Sequence, residues 1–315
     1  MTEPLTENKI VLIVRKTRLD ELIARFNTEA QARFYIEHMG ADFSDYERED
    51  ETYKQSAQRA KRFLSHLGRL HTVDRAYVPN FMFGRADTVV VLGQDGLVAN
   101  VLKYLEDQLV VGVNPDPGRW EGVLLPFGVD DLLKIIPEVF FGRRNIRTVT
   151  MARAELNTGQ VLLAVNDLFV GPKSHTSALY SLNIGGKSED QSSSGIIVST
   201  GLGSTGWLRS IIAGATGISS SLSGRQLKIQ QKTQLDWDAD YLYFSIREPW
   251  PSKTSSANIT FGKVTPETPL QLVSRMAQGG VIFSDGIEAD YLAFNAGTTV
   301  TVGLASRKAR LVVAS

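Results

Sequence analysis

Thr88-Val89-Val90-Val91-Leu92-Gly93-Gln94-Asp95-Gly96 is the stretch whose reading decides the fold. Three consecutive β-branched residues and a Leu make a short apolar run of the kind found in strands buried on both faces. The run breaks into an Asp followed by glycine. A buried strand ending in Gly-x-Asp-Gly delivers a carboxylate to the edge of a sheet, and its glycines let a phosphate approach backbone N–H groups. Asp-Gly is also ordinary turn chemistry, so from the loop alone a strand-ending turn explains it equally well.

Working outward, Lys9 to Val14 reads as a buried strand that ends in Arg15-Lys16-Thr17-Arg18. A cationic strand end in an open α/β sheet is a place where anions sit, and it is equally a solvated charge cluster. Leu19 to His38 has apolar residues at helical spacing. The charged stretch from Asp42 reads as a loop leading into a helix over Ser56 to Leu67, and Val73 to Val78 as a strand. A helix over Val98 to Leu105 and a strand over Leu109 to Val113 follow the Asp95 loop, then the turn-rich Asn114-Pro115-Asp116-Pro117. A helix over Val129 to Phe141 is expected to break or bend at Pro137. Strands alternating with helices imply βαβ units and a parallel sheet.

The texture changes after Gly142. Short β-rich runs separated by Gly, Ser, Asn and Pro turns continue to the end, among them Ala178 to Ile184, Gly195 to Ser199 and Tyr241 to Ile246. This predicts a mainly antiparallel region. One helix is expected there, Thr205 to Ala213, behind the Gly203-Ser204 turn, where N–H donors would be free for a ligand.

Composition excludes several classes. Basic and acidic residues number 34 each, so the formal net charge is zero, unlike a general nucleic-acid binder. Cysteine is absent, which excludes disulfides and thiolate metal sites. No apolar stretch approaches the roughly 20 residues of a membrane helix, and Met1 to Lys9 is polar, unlike a targeting peptide. A cytoplasmic protein with no membrane or nucleic-acid partner is the expectation. The four histidines show no metal-binding spacing, so no protein metal site is expected. His175 is read as a surface-loop residue and Trp207 as a packing residue, each with ligand contact as the alternative.

In order along the chain, Gly93-Gln94-Asp95-Gly96-Leu97, Asn166-Asp167 and Ser199-Thr200-Gly201-Leu202-Gly203-Ser204-Thr205 resemble the Gly-Gly-Asp-Gly-Thr loop, Asn-Glu pair and Thr-Gly-Ser substrate loop of the NAD kinase family. Residues 14–20 (VRKTRLD), 112–117 with Glu121-Gly122, 193–195, 244–249 (FSIREP) and Phe283-Ser284-Asp285-Gly286 are similar to its mitochondrial-type branch. The resemblance implies an NAD kinase/diacylglycerol kinase-like fold. Residues 1–142 would be an α/β nucleotide-binding domain, and 143–315 a mainly antiparallel dinucleotide-binding domain whose last ~20 residues pack back on the first. It implies transfer of a phosphoryl group from ATP to the 2′-hydroxyl of the NAD adenosine ribose, with Mg²⁺ carried on the phosphates.

Asp95 would accept the hydroxyl proton, and Gly93 and Gly96 would admit the phosphates. Asn166, Asp167, Thr200, Gly203, Ser204 and Thr205 would hold the dinucleotide, and Arg15, Lys16 and Arg18 would contact phosphate. A homodimer or larger homo-oligomer is implied as well. Three residues depart from the family pattern: Gln94 for the second glycine, Leu97 for threonine and Asp167 for Glu. They keep two alternatives in view, a dinucleotide-binding protein without kinase activity and a related lipid or sugar kinase.

Overall fold

The structure is a computed structural model that describes residues 8–226 and 234–314; the polar start of the chain before residue 8 lies outside them. The chain divides into two compact units, Met1–Arg147 with Arg310–Ser315, and Thr148–Ala309. The division falls five residues beyond the Gly142 boundary read from the sequence, and residues 310–315 belong to the first unit.

The first unit is built on β1 (Lys9–Val14), α1 (Arg18–Phe26), α2 (Glu29–His38), α3 (Ser44–Leu67), β2 (Arg69–Asp74), β3 (Thr88–Leu92), α4 (Asp95–Leu102), β4 (Leu109–Asn114), the short β5 (Phe127–Gly128) and α5 (Leu132–Phe140). Its sheet runs β2-β1-β3-β4, all parallel, and Arg310 and Leu311 of the last strand continue it beside Leu109 and Val110. All five residues of β3 are buried, as a strand covered by helices on both faces requires. Ile10, Leu12, Val90, Leu92, Val111 and Val113 form one core with Leu64 of α3 and Ile136 of α5.

Several elements of the first unit depart from the sequence expectation, among them the strand read over Val73 to Val78, which is instead β2 (Arg69–Asp74) followed by a 3-10 turn over Arg75–Asn80. The helix expected over residues 19–38 is two helices. Asn27 takes the left-handed conformation that ends α1, and the Thr28 side chain caps α2 by accepting from Gln31 N–H. The start of α1 is fixed by a capping box between Thr17 and Asp20. The third helix begins at Ser44, with no loop before Ser56. Its inward positions include Glu49, Tyr53, Ser56, Ala60, Leu64 and Leu67, so polar residues interrupt the apolar stripe although the spacing is helical. Pro137 does not break α5; the helix ends one turn later, at Phe140.

The second unit contains β6 (Ile146–Leu156), β7 (Val161–Ala164), β8 (Asp167–Pro172), β9 (Ala178–Ile184), β10 (Lys187–Ser193), β11 (Ile196–Ser199), α6 (Trp207–Ser223), β12 (Leu242–Ile246), β13 (Phe261–Val264), β14 (Leu270–Ser274), β15 (Gly280–Ser284), β16 (Ile287–Ala293) and β17 (Thr299–Val312). Two strands cross the division at their ends: β6 starts in the first unit and β17 finishes there. One layer has β10-β9-β14-β17, with β6 pairing β17 and β7. The other is an antiparallel sheet in the order β13-β12-β11-β8-β15-β16. Alternate residues of both layers, such as Leu168, Val170, Ile196 and Phe244 against Tyr180, Leu182, Leu272 and Val300, fill the core between them. The helix expected over 205–213 is longer, running from Trp207 to Ser223.

Beyond Asn114 the chain is stitched back onto β4. Asn114 Nδ2 donates to Trp120 O at 2.8 Å, and Leu124 O lies 1.9 Å from where a side chain on Gly112 would begin. Gly112→Ala is therefore expected to destabilise the protein by about 3 kcal/mol, the upper end of overpacking costs. Gly303→Ala, where the Cβ meets open space, serves as the near-neutral control in urea unfolding.

Candidate functional site

The Asp95 loop follows directly from the parallel sheet. β3 ends at Leu92, Gly93 N–H donates to Val113 O on β4 at 3.2 Å, and extended Gln94 caps α4, whose first residue is Asp95. The carboxylate is engaged: Oδ1 accepts from Leu124 N–H at 2.7 Å and Oδ2 from Val123 N–H at 3.2 Å. Asp95 thus ties the 121–125 segment to the start of the helix, with lone pairs left on both oxygens. Gly96 is exposed, and a side chain there would meet open space. Gly93 is different, because its Cβ would come 2.7 Å from Leu97 Cδ2, and Leu97 is itself buried. The position that resembles the family's threonine is filled by an apolar side chain folded over Gly93.

The cations at the end of β1 have partners. Arg15 pairs with Glu49 at 2.9 Å, and Arg18 pairs with Glu49 and, at 2.8 Å, with Asp45. Arg119 adds a two-pronged hydrogen bond to Asp45 at 2.9 and 2.7 Å. The Arg119 and Arg18 guanidinium groups hold the Asp45 carboxyl well below the usual carboxylate range. Burial opposes ionisation of Glu49, and hydrogen bonds from Arg15 and Arg18 outweigh it, so its pKa is lowered. Tyr53 completes the cluster by accepting from Arg15 N–H and donating to Leu92 O, and burial pushes its hydroxyl up to about 12. Lys16 is exposed and forms no ion pair among the described residues.

In the second unit, Asn166 and Asp167 open β8. The adjoining 199–206 loop is wedged between this turn, against Gly203, and the Asp236 backbone, against Gly201, so that neither glycine has room for a side chain. A Cβ there would lie 1.9 Å from Asp236 O and 2.1 Å from Asn166 O. Thr200 is fully buried; its hydroxyl donates to Val165 O at 2.5 Å and accepts from Gly203 N–H at 3.2 Å. Ser204 is also buried, donating to Gly201 O and accepting from Leu235 N–H. These two hydroxyls hold the loop together, whereas Thr205 is exposed.

One residue organises the turn. Asp285 Oδ1 accepts from Val165, Asn166 and Asp167 N–H at 3.1, 2.6 and 3.3 Å, and its Oδ2 accepts from Val165 N–H at 3.1 Å. Asp285 is left-handed (φ 54°), a conformation that Asp tolerates better than most residues. It returns a backbone bond from its own N–H to Asp167 O at 3.0 Å. Asp167 sits opposite Ser199 in the β8–β11 register, and its Oδ1 is buried without a hydrogen-bond partner. Burial pushes the Asp167 carboxyl up to about 7; a hydrogen bond with Ser199 opposes this, and the charge of Asp285 adds to it.

The outer face of the same antiparallel sheet carries a cavity of about 540 Å³ lined by Phe169, Trp207, Phe283, Arg247, Lys173 and His175. Phe169 and Trp207 are parallel within 8° with ring centres 6.0 Å apart, and the Arg247 guanidinium lies 5.4 Å from the Trp207 ring. Trp207 and His175 both line it, so each has ligand access as well as the packing or surface role read from the sequence.

No protein-family model and no curated protein matches the sequence. Solved structures do. Yeast NADH kinase complexed with NADH is similar over 98% of this chain and 84% of its own, with a TM-score of 0.59 at 16% identity. An NAD kinase from Archaeoglobus fulgidus in complex with ATP is similar over 96% of this chain and 93% of its own, with a TM-score of 0.55 at 14% identity. The chain has the NAD kinase fold.

Within this NAD kinase fold, two groups matter beyond the site residues expected from the sequence. Asp285 was visible only as part of an Asp-Gly segment, since its partners lie about 120 positions earlier in the chain. Asp45 and Glu49 were hidden in a stretch read as loop, although their spacing of four on a helix was the available signal.

The raised pKa of Asp167 has a definite sign. The folded protein keeps the proton that the unfolded chain releases near the ordinary aspartate value of 3.8, so stability falls as pH rises from about 4 to about 7 and then levels off. Asp167→Asn removes the buried charge. It is expected to be more stable than wild type at pH 8 by at least about 1.4 kcal/mol, the worth of one pKa unit, and to lose that advantage at pH 4 in urea titrations.

Proposed function

We propose that the protein is an NAD kinase: it transfers the γ-phosphoryl group of a nucleoside triphosphate to the 2′-hydroxyl of the NAD adenosine ribose, giving NADP. The observation that carries the reading is the Asn166-Asp167 turn. Asp285 caps it rigidly through consecutive amides, and Asp167 brings a carboxyl there whose Oδ1 is buried without a partner and whose charge ligand hydroxyls would help to satisfy. The similar yeast and archaeal structures are complexes with NADH and ATP, which supports a dinucleotide and a triphosphate as the substrates.

Phosphoryl transfer asks the protein mainly for positioning and charge neutralisation. The bond from γ-phosphorus to the bridging oxygen of the donor breaks as the ribose oxygen attacks. Asp95 accepts the proton from that hydroxyl through its remaining lone pairs. Exposed Gly96 leaves the first turn of α4 open to phosphate, with Gly93 preceding it in the loop. Asn166 and Asp167 bind the dinucleotide directly, and Thr205 is the exposed hydroxyl of its loop. Thr200, Gly203 and Ser204 shape the loop from inside. Exposed Lys16 is the cation available for phosphate, while Arg15 and Arg18 hold the β1 end through Glu49 and Asp45. Mg²⁺ would be carried largely on the phosphates of the triphosphate, as the family resemblance implies.

A second reading, dinucleotide binding without turnover, is favoured by one feature: both Asp95 oxygens already serve the 123–124 amides, and Leu97 packs over Gly93. A coupled assay of NADP formation, run with ATP and with polyphosphate, separates the two. Turnover that falls at least ~100-fold in Asp95→Asn, the scale for losing a general base, with NAD binding retained, establishes the kinase. NAD binding without NADP formation by wild type establishes the second reading.

The same reading takes the protein as a homodimer or larger, associated through the β-rich unit. Only Leu208 of the 17-residue α6 is buried, while Ile218 and Leu222 are 64% and 85% exposed. Light scattering is expected to give at least twice the 34.7 kDa chain mass, and Leu222→Glu to lower it.

A further inference from the structure

The Asp167–Asp285 pair has a feature that ligand recognition alone does not require. Two carboxyl groups share one turn, and they are treated differently. Asp285 receives four hydrogen bonds from three consecutive amides, which favour its ionised form. Asp167 has a buried oxygen with no partner. The groups that face Asp167 are the Ser199 hydroxyl on β11, the backbone of Gly203 in the 199–206 loop and the Asp285 carboxylate in the β15–β16 turn. Among the described residues Asp285 is the one titratable group of the three, and it carries the same sign of charge.

We propose that the empty site holds a single negative charge, with a proton on Asp167, and that a ribose hydroxyl of the dinucleotide expels this proton when it binds. The proposal rests on reading the 165–167 turn as the dinucleotide-holding element. The balance is simple. The neutral acid loses its proton to solvent, and the ligand hydroxyl, keeping its own proton, donates it as a hydrogen bond to the ionised Asp167 carboxylate. That charge-assisted bond forms fully only with the ionised carboxyl, so the ligand stabilises the form that burial, the unpartnered Oδ1 and Asp285 disfavour. Burial, before the charge of Asp285, pushes the Asp167 carboxyl up to about 7, which puts the exchange in the range where cells operate. Asp285 is in this scheme a positioning residue with a second effect: it shapes the turn through the amides and sets the proton affinity of its neighbour through its charge.

The test is calorimetric titration of the full chain with NAD in buffers of differing ionisation enthalpy, from pH 5.5 to 8.5. Wild type is expected to release close to one proton per site at about pH 6 and almost none at pH 8.5. Its affinity should rise up to about tenfold per pH unit below the midpoint and level off above it. Asp167→Asn should bind NAD with neither proton release nor pH dependence in this window. Asp285→Asn, which keeps an acceptor and a side chain tolerant of left-handed backbone, should move the midpoint to lower pH. Should that variant unfold, the Asp167→Asn comparison decides alone. Heats that are identical in all buffers at pH 6 overturn the proposal and leave NAD binding standing. A proton release that survives in Asp167→Asn belongs to another group, such as His175, and overturns it as well. Absence of NAD binding by wild type at every pH removes the functional reading and the proposal together.

Discussion

The carboxylate of Asp285 is the constraint on which the candidate dinucleotide site depends. Three successive amides cannot point at one oxygen unless the backbone of residues 165–167 is curled, and a curled backbone needs an anion to hold it. Once the curl exists, Asn166 O is placed to accept from Thr200 N–H, the Thr200 hydroxyl donates to Val165 O, and the glycine at 203 becomes obligatory. The apolar face of β8 then enters the core between the two layers at Leu168 and Val170. A single charged side chain thus converts the end of a strand into a presented pair of polar residues.

The first unit solves a parallel problem by a similar device. The Asp95 carboxylate also spends its oxygens on backbone amides, those of Val123 and Leu124, and so anchors the long excursion after β4. In the same unit, at the end of β1, Arg15, Arg18 and Arg119 alternate with Glu49 and Asp45, so that opposite charges neutralise one another. Loops at strand ends are the least constrained part of such a fold, and both units fix one with a carboxylate where hydrophobic packing alone would leave it loose.

Much of this was legible in the residues. The runs at β1, β3 and β4 are apolar and β-branched because both faces of the parallel sheet are covered, and Ala178–Ile184 was delimited at both ends by its turn residues. The start of α3 was not legible, because Glu49 and Ser56 occupy inward positions and erase the apolar stripe; their partners, Arg15, Arg18 and Pro115 O, come from distant segments. The break at Asn27-Thr28 was hidden because the hydrophobic spacing runs through it. At the site, residue types disclosed which positions matter but not which way they face. Thr200 and Ser204 carry the expected hydroxyls and turn them inward, Arg15 and Arg18 carry the expected charge and neutralise it internally, and Asp285 acts across a separation in sequence that no local pattern encodes.

The path of β17 has a consequence for how the molecule comes into being. Its final residues, Arg310 and Leu311, pair beside Leu109 and Val110, and Val312 joins the core of the first unit. A chain released only through residue 147 therefore lacks the neighbour of β4 beside Leu109 and Val110, although β5 is present at Val113 and Asn114, and its apolar interior lacks Val312. The first unit closes only once residues 310–312, far along the chain, have been added to it. During translation its open margin is the segment most in need of shielding by a chaperone.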